Sequence, residues 1–200
     1  ILKMRGRQIS MNKAIFWDLL GTLGGDSRTL INQNFNFFKD TIPALKKAAQ
    51  SHYLNIIITN QSHISHGRIT MAEYTDALES LINELEKNDI QITDVYTCPH
   101  ARKDNCDCKK PQPTFVNEAL KKYDLNPSKC FVVGDSGKND MMLAKNAGIN
   151  SVLLLTGEGI DSLTKYRHLW SETKPTFIAE NSLDAINKIH MYADGDSSDS

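Results

Sequence analysis

The sequence lacks both a long hydrophobic run and an excess of charge of either sign. No segment approaches the about 18 apolar residues that a membrane-spanning helix needs, and residues 1–10 lack the apolar stretch of a signal peptide. With 23 basic and 24 acidic residues the net charge is −1. A broad basic surface that would bind nucleic acid or an anionic membrane is therefore not expected. We expect a cytoplasmic protein with neither kind of partner.

Extremes of composition are also absent. Apolar residues make up 40% of the chain and charged residues 24%, which argues against general disorder, collagen and coiled-coil rods. A chain of 200 residues suits one domain. We expect residues 1–10, which do not begin with Met, to be an N-terminal extension or a tag remnant. Residues 11–192 are expected to form the domain, and the acidic residues 193–200 a disordered tail.

Cysteine is scarce, but three of the four cysteines lie close together. The segment reads Cys98-x-His100-x5-Cys106-x-Cys108. Three thiols and one imidazole on a short loop match the ligand set of a structural zinc site. The alternatives are a disulfide, which nothing about the composition favours, and a chance cluster of reactive thiols. The fourth cysteine, Cys130, opens an apolar run and is expected to be a buried, inert thiol.

Short apolar segments alternate with helical patterns along the chain. Six segments are predicted to be strands and five to be helices, with Thr70 as an N-cap. This alternation predicts an α/β fold with a Rossmann-like, doubly wound parallel sheet. The predicted strands are 11–17, 54–59, 91–96, 130–133, 151–155 and 176–179, and the helices are 43–50, 71–85, 114–123, 139–146 and 182–191.

Polar residues follow the predicted strands where each strand ends. In open α/β sheets, ligands bind outside these carboxyl ends. Carboxylate oxygens suit Mg²⁺, and a hydroxyl, an amide and an ammonium group suit a phosphate. Together they are the equipment for phosphoryl transfer to a carboxylate. The residues concerned are Asp18, Thr59, Asn60, Lys109, Lys110, Asp135 and Asp140.

These segments, in this order, resemble the haloacid dehalogenase (HAD) superfamily of phosphohydrolases. The predicted zinc loop, residues 98–108, is followed by Lys-Pro. This combination resembles the capless branch that contains histidinol-phosphatase and heptose bisphosphate phosphatase. The resemblance implies a phosphatase with Mg²⁺ and a structural Zn²⁺, acting on a phosphorylated sugar or a similar small metabolite. Only 40 residues separate Asp18 from Thr59 and 50 separate Thr59 from Lys110, so no large cap domain is expected.

The resemblance also implies a role for each matching residue. Asp18 matches the nucleophile that forms an aspartyl-phosphate, Thr59 the hydroxyl that binds the phosphoryl group, and Lys110 the lysine that steadies both charges. Asn60 and Lys109 are expected to contact the substrate. The Mg²⁺ ligands implied are Asp18, Asp135, Asp140 and the backbone carbonyl of Leu20, and the Zn²⁺ ligands are Cys98, His100, Cys106 and Cys108.

The sequence departs from the family most clearly at Leu20. The family's phosphatases carry an aspartate there, which protonates the leaving alcohol and then deprotonates the attacking water. Leucine does neither, so the sequence predicts an intact metal site with an impaired proton-transfer step. The alternative is a protein that binds a phosphorylated ligand without hydrolysing it. A zinc-finger nucleic-acid module and a receiver domain fit the net charge and the zinc loop less well.

Smaller departures lie in the loops around the site. Asp135 and Asp140 are five residues apart where four is usual, which weakens the assignment of Asp140. Lys109 stands where near relatives carry arginine, and a lysine does not form a bidentate fork. His63 and His66 stand where glycine and arginine are usual. These differences lie in loops expected to face the substrate, so the exact substrate of this protein is not inferred from either relative.

Overall fold

The computed structural model describes residues 12–195, in which six parallel strands form one sheet. The strand order is β3-β2-β1-β4-β5-β6, so the first strand lies near the centre and the chain winds outward in both directions. The predicted doubly wound α/β fold is confirmed. The strands are β1 (Lys13–Trp17), β2 (Tyr53–Asn60), β3 (Asp94–Cys98), β4 (Phe131–Gly134), β5 (Asn150–Leu154) and β6 (Phe177–Ala179).

Within this described part of the chain, seven α-helices cover the sheet or lie beside its ends. Side chains alternate between the faces of each strand, and so Ile15 and Trp17 of β1 pack on one side while Ala14 and Phe16 pack on the other. The helices are α1 (Thr41–Gln50), α2 (Ser62–Ser65), α3 (Met71–Glu86), α4 (Thr114–Lys122), α5 (Met142–Ala147), α6 (Gly159–Leu163) and α7 (Ser182–Gly195). Helices α1, α3 and α7 bury apolar residues against the first face, and α4 and α5 against the second.

Element boundaries differ from the sequence prediction by one or two residues at several places and by more at three. Strand β3 begins at Asp94 rather than residue 91, and α7 continues to Gly195, into the segment expected to be a tail. Helix α5 begins at Met142 because a π-helical turn, Gly137–Met141, precedes it. The short α2 and α6 are too brief to show a helical period. The predicted cap of α3 is confirmed, since Thr70 Oγ1 accepts from Glu73 N at 3.2 Å.

The sheet is not interrupted by a second domain. Between β1 and β2 the described chain forms a loop and α1, and between β2 and β3 it forms α2 and α3. This confirms the expectation that no large cap domain is present. None of the helices within residues 12–195 has the length and apolar character needed to cross a membrane. Residues 1–11 and 196–200, which include Met11 and most of the expected tail, lie outside the described residues.

Candidate active site

Three aspartates and one lysine meet at the carboxyl edge of the sheet. Asp18 follows β1, Asp135 follows β4, and Asp140 lies in the π turn beyond it. Lys110 reaches the same point from the loop after β3. All four are buried, and one carboxylate oxygen from each aspartate lies within 4.8 Å of the others. The sequence prediction that these residues converge therefore holds in the structure.

Lys110 is the centre of this cluster. Its Nζ donates to Asp18 Oδ1 at 2.5 Å, to Asp140 Oδ1 at 2.7 Å and to the Ile58 carbonyl at 3.0 Å. The Lys110 side chain is 3% exposed. An ammonium carries three donor hydrogens, so these three acceptors satisfy it fully. The lysine is thereby fixed against the nucleophile predicted from the sequence.

The buried charges shift one another's pKa values. Burial raises the pKa of Asp18 and the Asp140 charge adds to this, while Lys110 opposes both; the resulting pKa is about 6. Burial, with the nearby Asp18 and Asp140 charges, raises the pKa of Asp135 well above its ordinary value. Burial lowers the pKa of Lys110, but the two carboxylates raise it more, so it lies above its ordinary value. The cluster holds more negative charge than one ammonium compensates.

The longer spacing before Asp140 is absorbed by the π turn. Asp140 N donates to the Ser136 carbonyl at 2.7 Å, and Met141 N approaches the same oxygen at 3.4 Å. A π turn accommodates one residue more than an α turn and occurs frequently at functional sites. Asp140 Oδ2 then accepts from Ser136 N at 3.0 Å, and its other oxygen contacts Lys110. Asp140 consequently positions Lys110 despite the extra residue.

Two glycines enclose Asp135. Gly21 and Gly157 have positive φ angles of 88° and 50°. A Cβ at either glycine would lie about 2 Å from Asp135 Oδ2, which leaves no room for a side chain. Thr156 Oγ1 donates to the Gly21 carbonyl at 2.6 Å, and Glu158 N donates to Asp135 Oδ2 at 2.6 Å. The loops after β1 and β5 therefore fix this carboxylate.

The three carboxylates fit a Mg²⁺ ion. Oxygens bound to one octahedral Mg²⁺ at about 2.0–2.1 Å lie about 3–4 Å apart, within the spread of this cluster. Asp18 Oδ2 accepts a hydrogen bond from Thr22 Oγ1 at the long distance of 3.4 Å. Both Asp140 oxygens already accept hydrogen bonds. The donor set therefore suits Mg²⁺ best at Asp18 and Asp135, with Asp140 beside them.

Thr59 and Asn60 end strand β2 at the same edge. Thr59 is buried, lines the cavity above Asp18 and accepts a hydrogen bond from Gln61 Nε2 at 3.1 Å. Asn60 was expected to contact the substrate, and it also lines this cavity. Its amide pairs with the backbone of Lys110, accepting from N at 3.0 Å and donating to O at 3.3 Å. Asn60 therefore ties the loop that carries Lys110 to β2.

The cavity above these residues has a volume of about 260 Å³. Leu20 lines it and packs partly against the core, so an apolar side chain stands where the family's acid–base aspartate is expected. The sequence prediction named Leu20 but gave no role to the other residues with which the surrounding loops line the cavity. A signal was present for Glu158, which follows the end of β5. The further lining residues are Ser27, Ser62, His63, Arg102, Ser136, Lys138, Asn139 and Glu158.

The predicted zinc ligands form a second cluster beside the cavity. Cys98 Sγ lies 3.6 Å from Cys106 Sγ and 3.7 Å from His100 Nδ1, and that nitrogen lies 3.3 Å from Cys108 Sγ. With Zn–S near 2.3 Å and Zn–N near 2.0–2.1 Å, tetrahedral ligand atoms are about 3.5–3.8 Å apart. The four atoms therefore fit Zn²⁺. All four cysteines of the chain are free, and Cys130 is buried as expected.

The zinc loop also forms a wall of the site. Lys109 follows the last predicted zinc ligand and donates from Nζ to the His100 carbonyl at 3.0 Å. Lys109, Arg102 and Lys138 line the 260 Å³ cavity and also an adjoining cavity of about 580 Å³. The mouth of the candidate active site is therefore positively charged, whereas its floor is acidic.

Comparisons with known proteins agree with this geometry. A family model described as HAD-hydrolase-like matches residues 107–185. A D-glycero-beta-D-manno-heptose-1,7-bisphosphate 7-phosphatase of Helicobacter pylori is 34% identical over 172 residues, which cover 83% of this chain and 94% of that protein. A protein of the same name from Pasteurella multocida is 35% identical over 159 residues, covering 75% and 85% of the two chains.

The same architecture occurs in a solved structure. The crystal structure of D,D-heptose 1,7-bisphosphate phosphatase from B. bronchiseptica, complexed with magnesium and phosphate, superimposes with a TM-score of 0.80. The match covers 91% of this chain and 99% of that one, at 22% identity. At this identity the likeness establishes the fold.

Proposed function

We infer that this chain, which belongs to the HAD-hydrolase-like family of phosphatases, hydrolyses a phosphorylated sugar through an aspartyl-phosphate on Asp18, with Mg²⁺ as cofactor. The observation that carries this proposal is the buried Lys110 ammonium, held 2.5 Å from Asp18 Oδ1. A carboxylate fixed in this way beside a cavity is suited to nucleophilic attack on phosphorus. The cytoplasmic location expected from the sequence stays a prediction.

Each residue of the cluster has a role in this reaction. Asp18 attacks phosphorus and carries the phosphoryl group, and Thr59 donates its hydroxyl to a phosphoryl oxygen. Lys110 keeps Asp18 ionised and oriented through the contacts described above. Asp18 and Asp135, with the Leu20 carbonyl and Asp140, are the groups proposed to hold Mg²⁺. When bound, the cation would neutralise charge on the transferring phosphoryl oxygens.

The adjoining cavity supports a substrate with a second anionic group. Arg102, Lys109 and Lys138 line both cavities, so a sugar phosphate in the smaller one extends toward three cations. The heptose bisphosphates named for the relatives have this chemistry. We propose a sugar bisphosphate as the preferred substrate, with Zn²⁺ on the four-ligand cluster keeping the Arg102–Lys109 wall in place.

A phosphate-release assay across sugar monophosphates and bisphosphates, with and without Mg²⁺, tests the proposal. We expect Mg²⁺-dependent release, and we expect Asp18→Asn to abolish it because an amide is not a nucleophile toward phosphorus. Asp76→Asn, an exposed aspartate of α3, is the matched control and should behave as the unmodified protein. Full activity in Asp18→Asn would exclude the covalent mechanism.

A second candidate function rests on one observation, the apolar Leu20 side chain in the cavity. With no proton donor for the leaving group, the protein would bind a phosphorylated ligand without turning it over. Saturable binding of a sugar bisphosphate, with no phosphate released from any ester, would favour this alternative. Such a result would remove the proposed hydrolase activity.

A further inference from the structure

His63 and Glu158 are titratable side chains that line the reaction cavity without a role in the proposed mechanism. His63 is half-buried in the short helix α2 and lines the same 260 Å³ cavity as Asp18 and Leu20. A cavity of this size brings its walls within reach of one bound phosphate ester. The missing acid at Leu20 and the imidazole of His63 therefore border the same substrate space.

His63 is held by the loop that follows β1. Its Nε2 lies 3.3 Å from the Ser27 carbonyl, and because a carbonyl only accepts, Nε2 must be the donor. The Ser27 loop is closed by Arg28 N, which donates to Asp26 Oδ1 at 2.8 Å. Among residues 12–195, no group lies within hydrogen-bond distance of the other ring nitrogen, Nδ1, in suitable geometry. Nδ1 is therefore the atom at which His63 can exchange a proton.

The zinc loop fixes the helix that carries His63. Ser65 Oγ donates to Asp104 Oδ2 at 2.7 Å, and Ser65 N donates to the Pro99 carbonyl at 3.1 Å. Asp104 Oδ2 in turn accepts from Ala101 N at 2.7 Å. Helix α2 is thus held on both sides, by the zinc loop and by the Ser27 carbonyl. His63 therefore lies on a helix that is anchored to two loops at the cavity.

We propose that His63 is the general acid–base of this enzyme and replaces the aspartate that Leu20 lacks; this rests on the proposed phosphatase function. In the first step a bond forms between an Asp18 oxygen and phosphorus. The bond from phosphorus to the leaving oxygen breaks, and protonated His63 gives its Nδ1 proton to that oxygen. The alcohol product leaves neutral, and His63 is left uncharged.

The second step restores both residues. Water attacks phosphorus and gives a proton to Nδ1 of His63, the bond between phosphorus and the Asp18 oxygen breaks, and inorganic phosphate leaves. Asp18 is again a carboxylate and His63 again carries its proton. The other charged groups around the cavity are the cations Arg102, Lys109, Lys110 and Lys138, the three clustered aspartates, and Glu158. Among these groups, Glu158 is the alternative candidate for the general acid–base.

The test is a cycle of four proteins: unmodified, His63→Gln, Leu20→Asp and the double variant. Glutamine keeps a donor nitrogen for the Ser27 carbonyl but does not titrate. We expect His63→Gln to lower kcat on a sugar phosphate by about 10²-fold or more, the usual contribution of general acid–base catalysis. For p-nitrophenyl phosphate, His63→Gln should slow the first step less, because the leaving group of this substrate needs no proton. The double variant should regain the kcat that His63→Gln loses, because a carboxylate at position 20 supplies the proton.

Two further variants complete the experiment. His66→Gln, in an exposed position three residues along the chain, is the matched control and should keep the unmodified rate. Unchanged kcat in His63→Gln, an equal loss on both substrates with no recovery by Leu20→Asp, or a loss confined to Glu158→Gln would each overturn the role of His63. If neither the unmodified protein nor Leu20→Asp releases phosphate from any ester, the phosphatase function itself fails.

Discussion

Replacing Lys110 with methionine isolates the electrostatics of the candidate site. The two side chains have similar length and shape, so the change removes the ammonium while the packing stays nearly filled. Without it, the Asp18 and Asp140 carboxylates face each other in a site where their side chains are 10% and 1% exposed. Removing one partner of a buried ion pair costs about 3–5 kcal/mol, because the remaining charge is uncompensated.

We expect Lys110→Met to lower the free energy of unfolding of the Mg²⁺-free protein by this amount at pH 7.5. For a domain of this size the midpoint of thermal unfolding should fall by about 10 °C. The sign of the pH effect follows from the carboxylates. The pKa of Asp18 is already raised to about 6 and rises further without Lys110, so protonation in the folded state relieves the repulsion. The deficit should therefore shrink as the pH falls from 7.5 to 5.

The assay is thermal and urea unfolding in Mg²⁺-free buffer without a chelator, because a chelator would also remove zinc. Lys109→Met is the matched control. The Lys109 side chain is half-buried, and its ammonium group donates to one backbone carbonyl. Removing this ammonium should lower the free energy of unfolding by only about 1 kcal/mol. Equal destabilisation by the two substitutions, or a Lys110→Met deficit that does not depend on pH, would refute the reasoning.

The other predictions concern zinc, the metal site and the sheet edge. Cys106→Ser should reduce bound zinc from one per chain to a trace, as measured by metal analysis, while the far-ultraviolet spectrum of the sheet remains. Gly157→Ala should weaken Mg²⁺ binding in a titration, because the added Cβ lies 2.0 Å from Asp135 Oδ2. Partial burial raises the pKa of Asp94, but hydrogen bonds, the largest from Lys122, lower it more. The ionised Asp94 carboxylate therefore stabilises the folded protein above the ordinary carboxyl pKa, and this stabilisation is lost as the pH falls through the lowered pKa of the folded state. We expect Asp94→Asn to lower the free energy of unfolding by about 1 kcal/mol at pH 7 and by less at pH 2.5, as measured in unfolding experiments.

The convergence of the central residues was predictable from the sequence for a physical reason. The carboxyl ends of parallel strands lie at one edge of a sheet, so a polar residue just after a strand reaches that edge whatever the loops do. Asp18, Thr59 and Asp135 each come within one residue of a strand end or directly follow it. The position of Lys110 was predictable only with the help of the resemblance, because eleven residues separate it from the end of β3 at Cys98.

Residues on short connecting segments were beyond such an argument. Helix α2 has four residues, about one helical turn, which is too short for a repeat that would reveal which side chains face the cavity. In the sequence His63 stood out only as a residue at a position where the family usually carries glycine, although it lines the cavity with Ser27. Its placement depends on contacts with two distant loops, through the Ser27 carbonyl and through Ser65 and Asp104. Long-range contacts of this kind leave no local pattern in the sequence.

The extra residue before Asp140 changes the family's spacing in the sequence, but the structure still places the Asp140 carboxylate against Lys110. Counting alone places Asp140 one position out of register with the family and argues against its role. The π turn keeps Asp140 within 2.7 Å of Lys110 and brings Lys138 to the cavity mouth. The insertion therefore changes the substrate-facing surface while the buried charge cluster is preserved. The loop can contain an additional residue at this point because the π turn accommodates it, whereas the carboxylate is fixed at both oxygens, by Lys110 and by Ser136 N.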